Sequence, residues 1–154
     1  MRVNVNNNKH FLRLWEEGRT RFSKLIELIK EEDLSKTLYP APNSAGYIIR
    51  HIADVELLFA KNVFKSSDVQ VHAQTIIDQK DTGEWIVLKD LLDYNQLAYK
   101  GLKTAIVSQH EDAWEDTVIT KEFGTKTKSE ALGRIITHTA YHAGQLALIL
   151  KYGR

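Results

Sequence analysis

Two histidines four residues apart, His138 and His142 in the run Ile136-Thr137-His138-Thr139-Ala140-Tyr141-His142, have a type and spacing that could do chemistry. In an α-helix, side chains at i and i+4 stand one above the other with Cβ atoms roughly 6 Å apart. Both imidazoles can then converge on one ion at about 2.0–2.1 Å per bond. Ile135, Leu146 and Ile149 lie on the same face, so the rings point inward. An unpaired polar ring there costs on the order of 1–3 kcal/mol, which a metal or a hydrogen-bond partner must offset. His51 falls on or beside the apolar stripe of another expected helix and brings the imidazoles to three. That is the count of a catalytic zinc-type site that keeps one position for water or substrate. Imidazole donors also suit other divalent ions, and affinity order does not choose among them. Zinc, nickel, iron and manganese are the candidates.

The same residues admit a plainer reading, as core or surface histidines held by ordinary hydrogen bonds, and spacing alone leaves both open. An HExxH metalloprotease places a glutamate base after the first histidine, whereas Thr139 follows His138 here, which argues against a zincin-like protease. Four further residues are pocket candidates. Gln145 follows His138 by seven positions and could contact substrate or a ligand water, or bond to another helix. Asp54 follows His51 by three and could orient an imidazole N–H, act as a general base, or be a solvated carboxylate. Tyr47 and Asn95 could line the pocket or serve packing and structural hydrogen bonding. His10, His72 and His110 have no partner at ligand spacing and read as surface residues.

Four helices must position these groups. Phe11, Trp15, Gly18, Phe22, Leu25 and Ile29 recur at steps of four and three, the seam of a first helix over Lys9 to Lys30. Pro40 and Pro42 break the pattern in the connector that follows. Asn43 or Ser44 can cap a second helix that runs to about Lys65. The stretch from Ser66 to Trp85 has no steady period and is long for a bundle connection, and such connections are often functional. A third helix spans about Val87 to Gln109, with its seam either at Leu88, Leu92, Asn95, Tyr99, Leu102 and Ile106 or one register over, at Leu91, Asn95, Ala98, Leu102 and Ala105. Asn95 faces inward in both. Thr117 to Thr127 suggests a small hairpin or extended loop around Gly124. Thr127-Lys128-Ser129-Glu130 then matches a capping box that starts the last helix, which runs to Tyr152.

Composition narrows the function classes. The absence of cysteine excludes disulfides, thiolate nucleophiles and zinc fingers, and leaves histidine and carboxylate as metal donors. The 21 basic and 20 acidic residues are scattered, which disfavours nucleic-acid binding. Met1 to Asn8 lacks the apolar region of a secretory signal, and no apolar run is long enough to span a bilayer. The expectation is a single cytoplasmic domain over residues 1–154, without membrane contact.

Ser44-Ala45-Gly46-Tyr47-Ile48-Ile49-Arg50-His51-Ile52-Ala53-Asp54-Val55-Glu56 resembles the second helix of the DinB/YfiT-like superfamily. Glu130 through Leu146, with HxxxH followed by Gly144-Gln145-Leu146, resembles its last helix. The resemblance implies an all-α, up-and-down-like four-helix bundle that binds a divalent metal through His51, His138 and His142 and forms a homodimer. It also implies a metal-dependent enzyme acting on small molecules, with thiol-dependent transfer or isomerisation using a low-molecular-weight thiol among the family's reactions. A metal-dependent hydrolase and a non-catalytic, stress-associated metal- or ligand-binding module are the alternatives. A catalytic site requires an open position facing a solvent-connected pocket, whereas a structural site is closed.

Overall fold

A computed structural model describes residues 6–154 of the chain. Of the N-terminal stretch considered above, Met1 to Val5 lie outside the described residues. Helix α1 (Asn7–Leu28) starts where the Asn6 side chain accepts from the Lys9 amide at 2.7 Å, a side-chain cap for an otherwise unsatisfied N–H. Ser44, the second of the two cap candidates, does the same for the Tyr47 amide and starts α2 (Ala45–Leu58). The helical path continues through a π turn, Phe59–Val63, and ends at Lys65, whose φ of 58° is left-handed. Helix α4 (Leu88–Val107) buries Leu91, Asn95, Ala98, Leu102 and Ala105, the shifted of the two registers, together with Ile106. Between them lies α3 (Gln74–Asp78), inside the connection expected to lack helix. Five residues make barely more than one turn, too few to display a 3.6-residue period, and what holds α3 in place is a tertiary contact of Thr75 described below.

The open choice before the last helix resolves as a hairpin. Strands β1 (Thr117–Thr120) and β2 (Gly124–Thr127) pair antiparallel, with Thr117 opposite Thr127 and Thr120 opposite Gly124. Gly124 has a φ of +72°, a turn conformation that costs glycine little. Helix α5 (Lys128–Tyr152) begins with the expected capping box: the Glu130 amide donates to Thr127 Oγ1 at 3.1 Å, and the Thr127 amide donates to Glu130 Oε2 at 2.8 Å.

The fold is thus mostly helical with one short two-stranded ribbon. Helix α1 packs on α5 and α4, and α2 packs on α4 and α5. One apolar cluster gathers around Trp15, Phe59, Leu102, Trp114 and Leu132, and a second around Phe22, Ile48, Ile52, Leu91 and Leu146. No helix of the described residues is long and apolar enough to cross a membrane. Arg19 and Glu56 cross the interior as a buried ion pair, with Arg19 Nε donating to both carboxylate oxygens at 3.0 Å. Their sequence positions alone carried no sign of this pairing.

Gly18 and Gly46 each sit at a close approach that a side chain would obstruct. A Cβ on Gly18 would lie 2.5 Å from Ile136 Cγ2, so this residue lets α1 settle onto α5. A Cβ on Gly46 would lie 1.8 Å from the Trp85 carbonyl oxygen, where the segment leading into α4 crosses the start of α2. Gly46→Ala is therefore expected to cost about 1–3 kcal/mol despite the better helix propensity of alanine. Gly133→Ala, with no atom within 4 Å of the new Cβ, is the control. It should be neutral or stabilising by up to about 1 kcal/mol. Urea unfolding of the two variants checks this, and equal midpoints would show that the crossing at Trp85 yields freely.

Candidate metal centre

Helix α2 brings His51 and α5 brings His138 and His142 to one point, each half-buried. One ring nitrogen from each lies within 4.8 Å of the other two. The Nε2 atoms of His51 and His138 are 3.2 Å apart. Two nitrogens bound tetrahedrally to one ion at about 2.0–2.1 Å would stand about 3.3 Å apart, so this edge already fits such a shell.

Surrounding groups fix which nitrogen faces the centre. Asp54 is fully buried and accepts four hydrogen bonds: from Arg50 Nε at 3.0 Å, Tyr94 Oη at 2.7 Å, the Thr75 amide at 3.0 Å and Thr75 Oγ1 at 2.8 Å. A hydroxyl has one proton, and that of Thr75 goes to Asp54. Its lone pair is left to accept from His51 Nδ1, 3.1 Å away. His51 therefore carries its proton on Nδ1 and presents the Nε2 lone pair. Gln145 Oε1, a carbonyl oxygen that only accepts, sits 2.7 Å from His142 Nδ1 and imposes the same tautomer there. His138 Nδ1 is buried without a partner among the described residues. The donor chemistry fits a divalent ion: neutral imidazoles, two of them oriented by hydrogen bonds at the far nitrogen.

Burial keeps these rings neutral. It lowers His51 to about 4, with the charge of His142 adding to the effect and Asp54 opposing it. Burial likewise lowers His138 to about 3, helped by His142, His51 and Arg134. His142 is lowered by burial, and its bond to Gln145 acts the other way.

A cavity of about 680 Å³ opens beside the centre and is lined by His51 and His138 themselves. Val55, Phe59, Val63, Ile76 and Phe123 give it largely apolar walls. The other expected site residues fall differently. Asp54 acts on His51 through Thr75 rather than directly, and Gln145 bonds to His142. Tyr47 stacks on the His51 ring, with centroids 5.9 Å apart and planes 6° from parallel. Asn95 lies away from the cavity lining and ties α4 to α2 by donating to the Leu91 and Ile49 carbonyls at 2.9 and 3.3 Å. Three contributors escaped the sequence: Thr75, Tyr94 and Arg50. Arg50 lies over the Tyr94 ring, 3.6 Å from its centroid, and 4.8 Å from that of Trp85. Its i,i+4 spacing to Asp54 was the available signal.

Residues 14–146 match the family model of the DinB superfamily. Comparison with curated proteins gives no match. Among solved structures, the chain is similar to a histidine-to-alanine mutant of the mycothiol-dependent maleylpyruvate isomerase, with a TM-score of 0.63 and 21% sequence identity. The likeness covers 90% of this chain and 60% of that one, and at this identity it is a likeness of fold.

The depressed histidine values give a signed expectation for the metal-free protein. In the unfolded chain these rings titrate near 6.5, while in the folded chain His51 and His138 titrate near 4 and 3. Between those limits the unfolded state binds more protons, so stability falls as pH drops. From pH 7 to 5 the loss should be on the order of 1–2 kcal/mol per histidine. His138→Asn should flatten the slope. Urea midpoints across this range check it, and an unchanged slope in the variant would mean that His138 is not held neutral by the fold.

Proposed function

The chain belongs to the DinB superfamily, and from that premise we propose that it is a divalent-metal-dependent enzyme that transfers a low-molecular-weight thiol to a small electrophile. His51, His138 and His142 are the proposed ligands. One observation carries the reading: in an apolar setting, Thr75 and Gln145 hold two imidazoles with their Nε2 lone pairs toward a common centre, and a cavity opens onto that centre. When bound, the ion supplies a Lewis acid that lowers the pKa of a coordinated water or thiol. The chain's own residues orient and exclude. Asp54 and Thr75 keep the His51 ring in register, Tyr47 braces its face, and the apolar walls limit water. With no cysteine in the sequence, the reacting thiol must arrive as a cosubstrate. The mycothiol dependence of the structurally similar isomerase supports the choice of a thiol over water as the nucleophile.

An up-and-down-like bundle over residues 1–154 and a homodimer belong to the same proposal and rest on the family resemblance, and a cytoplasmic setting belongs to it on the sequence pattern alone.

The test is metal uptake by untagged protein, followed by thiol consumption with an electrophile. Zinc, nickel, iron and manganese should be tried in turn. His51→Ala, His138→Ala and His142→Ala should each lower metal content sharply. Thr75→Val, which removes the acceptor for His51 Nδ1, should weaken affinity about 10–100-fold. Full stoichiometry and affinity in His51→Ala would overturn the ligand set, and metal-independent thiol transfer would overturn the reaction.

A further inference from the structure

The cavity beside the histidines has a second character that the metal centre does not use. Its volume, about 680 Å³, is that of a small-molecule site. Phe59 and Phe123 approach within 6.0 Å, centroid to centroid, on its wall, so one side comes from the π turn after α2 and the other from the hairpin tip. Three charged residues line it: Lys65, Lys121 and Glu122. Glu122 is already bonded to Arg134 at 3.2 Å. Lys65 and Lys121 have no salt bridge or side-chain hydrogen bond among the described residues, although oppositely charged pairs occur elsewhere on this surface. The cavity therefore offers an aromatic and aliphatic interior, a histidine end and two uncompensated cations.

We infer that this cavity takes an organic anion with an apolar body, its anionic head meeting Lys65 and Lys121 and its body lying against the wall that Phe59 and Phe123 form together. An ammonium makes a charge-assisted bond to a carboxylate, and aromatic walls favour a flat or branched apolar body. A neutral or cationic ligand of the same shape would fill the walls but leave the lysines unanswered or repelled. The inference deepens the proposed function by naming the class of electrophilic substrate, and as a statement about the substrate it rests on that reading. Binding itself does not, because the lysines and phenylalanines act without a metal.

The test uses metal-free protein and three probes of one shape: 1-naphthylacetate, 1-naphthylacetamide and 1-naphthylethylamine, followed by calorimetry. The anion should bind roughly fivefold or more tightly than the amide, with the amine weakest. Lys65→Gln with Lys121→Gln, both at exposed positions, should bring anion and amide within about twofold, and Phe123→Ala should weaken all three. Raising the salt from about 0.02 to 0.5 M should shrink the anion preference in the unaltered protein, an arm that depends on no variant folding. Equal binding of anion and amide, no binding of any probe, or a preference that survives the double substitution would each overturn the inference. None of these results touches the metal-uptake experiment, so failure of the ligand set and failure of the anion site are read separately.

Discussion

A carboxylate taken wholly out of water is among the most costly groups a fold can contain, and Asp54 is such a group. Most of the site depends on how that cost is met. Its four donors come from three parts of the chain: Arg50 one turn earlier on α2, Tyr94 on α4, and the amide and hydroxyl of Thr75 on α3. The bonds from Tyr94 and Thr75 fasten α4 and α3 to α2. The Thr75 pair holds the strap over residues 66–86 against the start of the histidine cluster, and Arg50 reinforces it by donating to the His72 carbonyl at 3.2 Å. The oxygens of Asp54 are occupied by these donors. Its effect on His51 is transmitted by the single proton of one hydroxyl.

The second buried carboxylate is handled in another way. Burial raises Glu56, and Arg19 opposes the rise through one guanidinium nitrogen that faces both oxygens. The guanidinium itself lies near the Phe22 and Tyr99 rings, at 5.2 Å from each centroid, with Nη2 unpartnered among the described residues. Such a pair often adds little to stability compared with apolar packing, yet removing one partner strands the other charge. It joins α1 to α2, whereas Asp54 joins α2 to α4 and the strap. Helix α2 is buried nearly all round, held on one side by an ion pair and on the other by hydrogen bonds to a buried carboxylate, which suits an element that must present His51 at a fixed angle.

What could be read from the sequence follows from the length scale of each signal. Helices of twenty residues repeat their apolar pattern often enough to be seen, and α1, α4 and α5 lie close to where periodicity places them. The capping box is local chemistry and was legible to the residue. The inward position of Asn95 was legible too, because both registers contain it, but not its use as a bridge to the Ile49 carbonyl. Thr75 was invisible for the opposite reason. It sits in one turn of helix within an aperiodic stretch, and its role depends on an aspartate 21 residues earlier. Arg19 and Glu56 were hidden because a charged residue reads as solvent-facing until its partner is known.

A π turn at the end of α2 forms part of the cavity wall. An inserted residue in a helix changes which side chains face a given direction and is common at functional sites. Here the i→i+5 bond from the Phe64 amide to the Phe59 carbonyl, 3.0 Å, marks that change. Phe59 and Val63 both line the cavity, and the chain leaves through Lys65 in a left-handed conformation. A regular α-helical continuation would rotate Val63 and Lys65 relative to His51. The facing wall is the hairpin, whose three-residue tip, Lys121 to Phe123, is reached through Gly124. His51 thus stands on a helix held by the Arg19–Glu56 ion pair and by the hydrogen bonds to Asp54, while much of the cavity wall is a helical irregularity and a loop. The histidines come from α2 and α5, whereas Phe59 and Val63 come from the π turn and Lys121 to Phe123 from the hairpin tip.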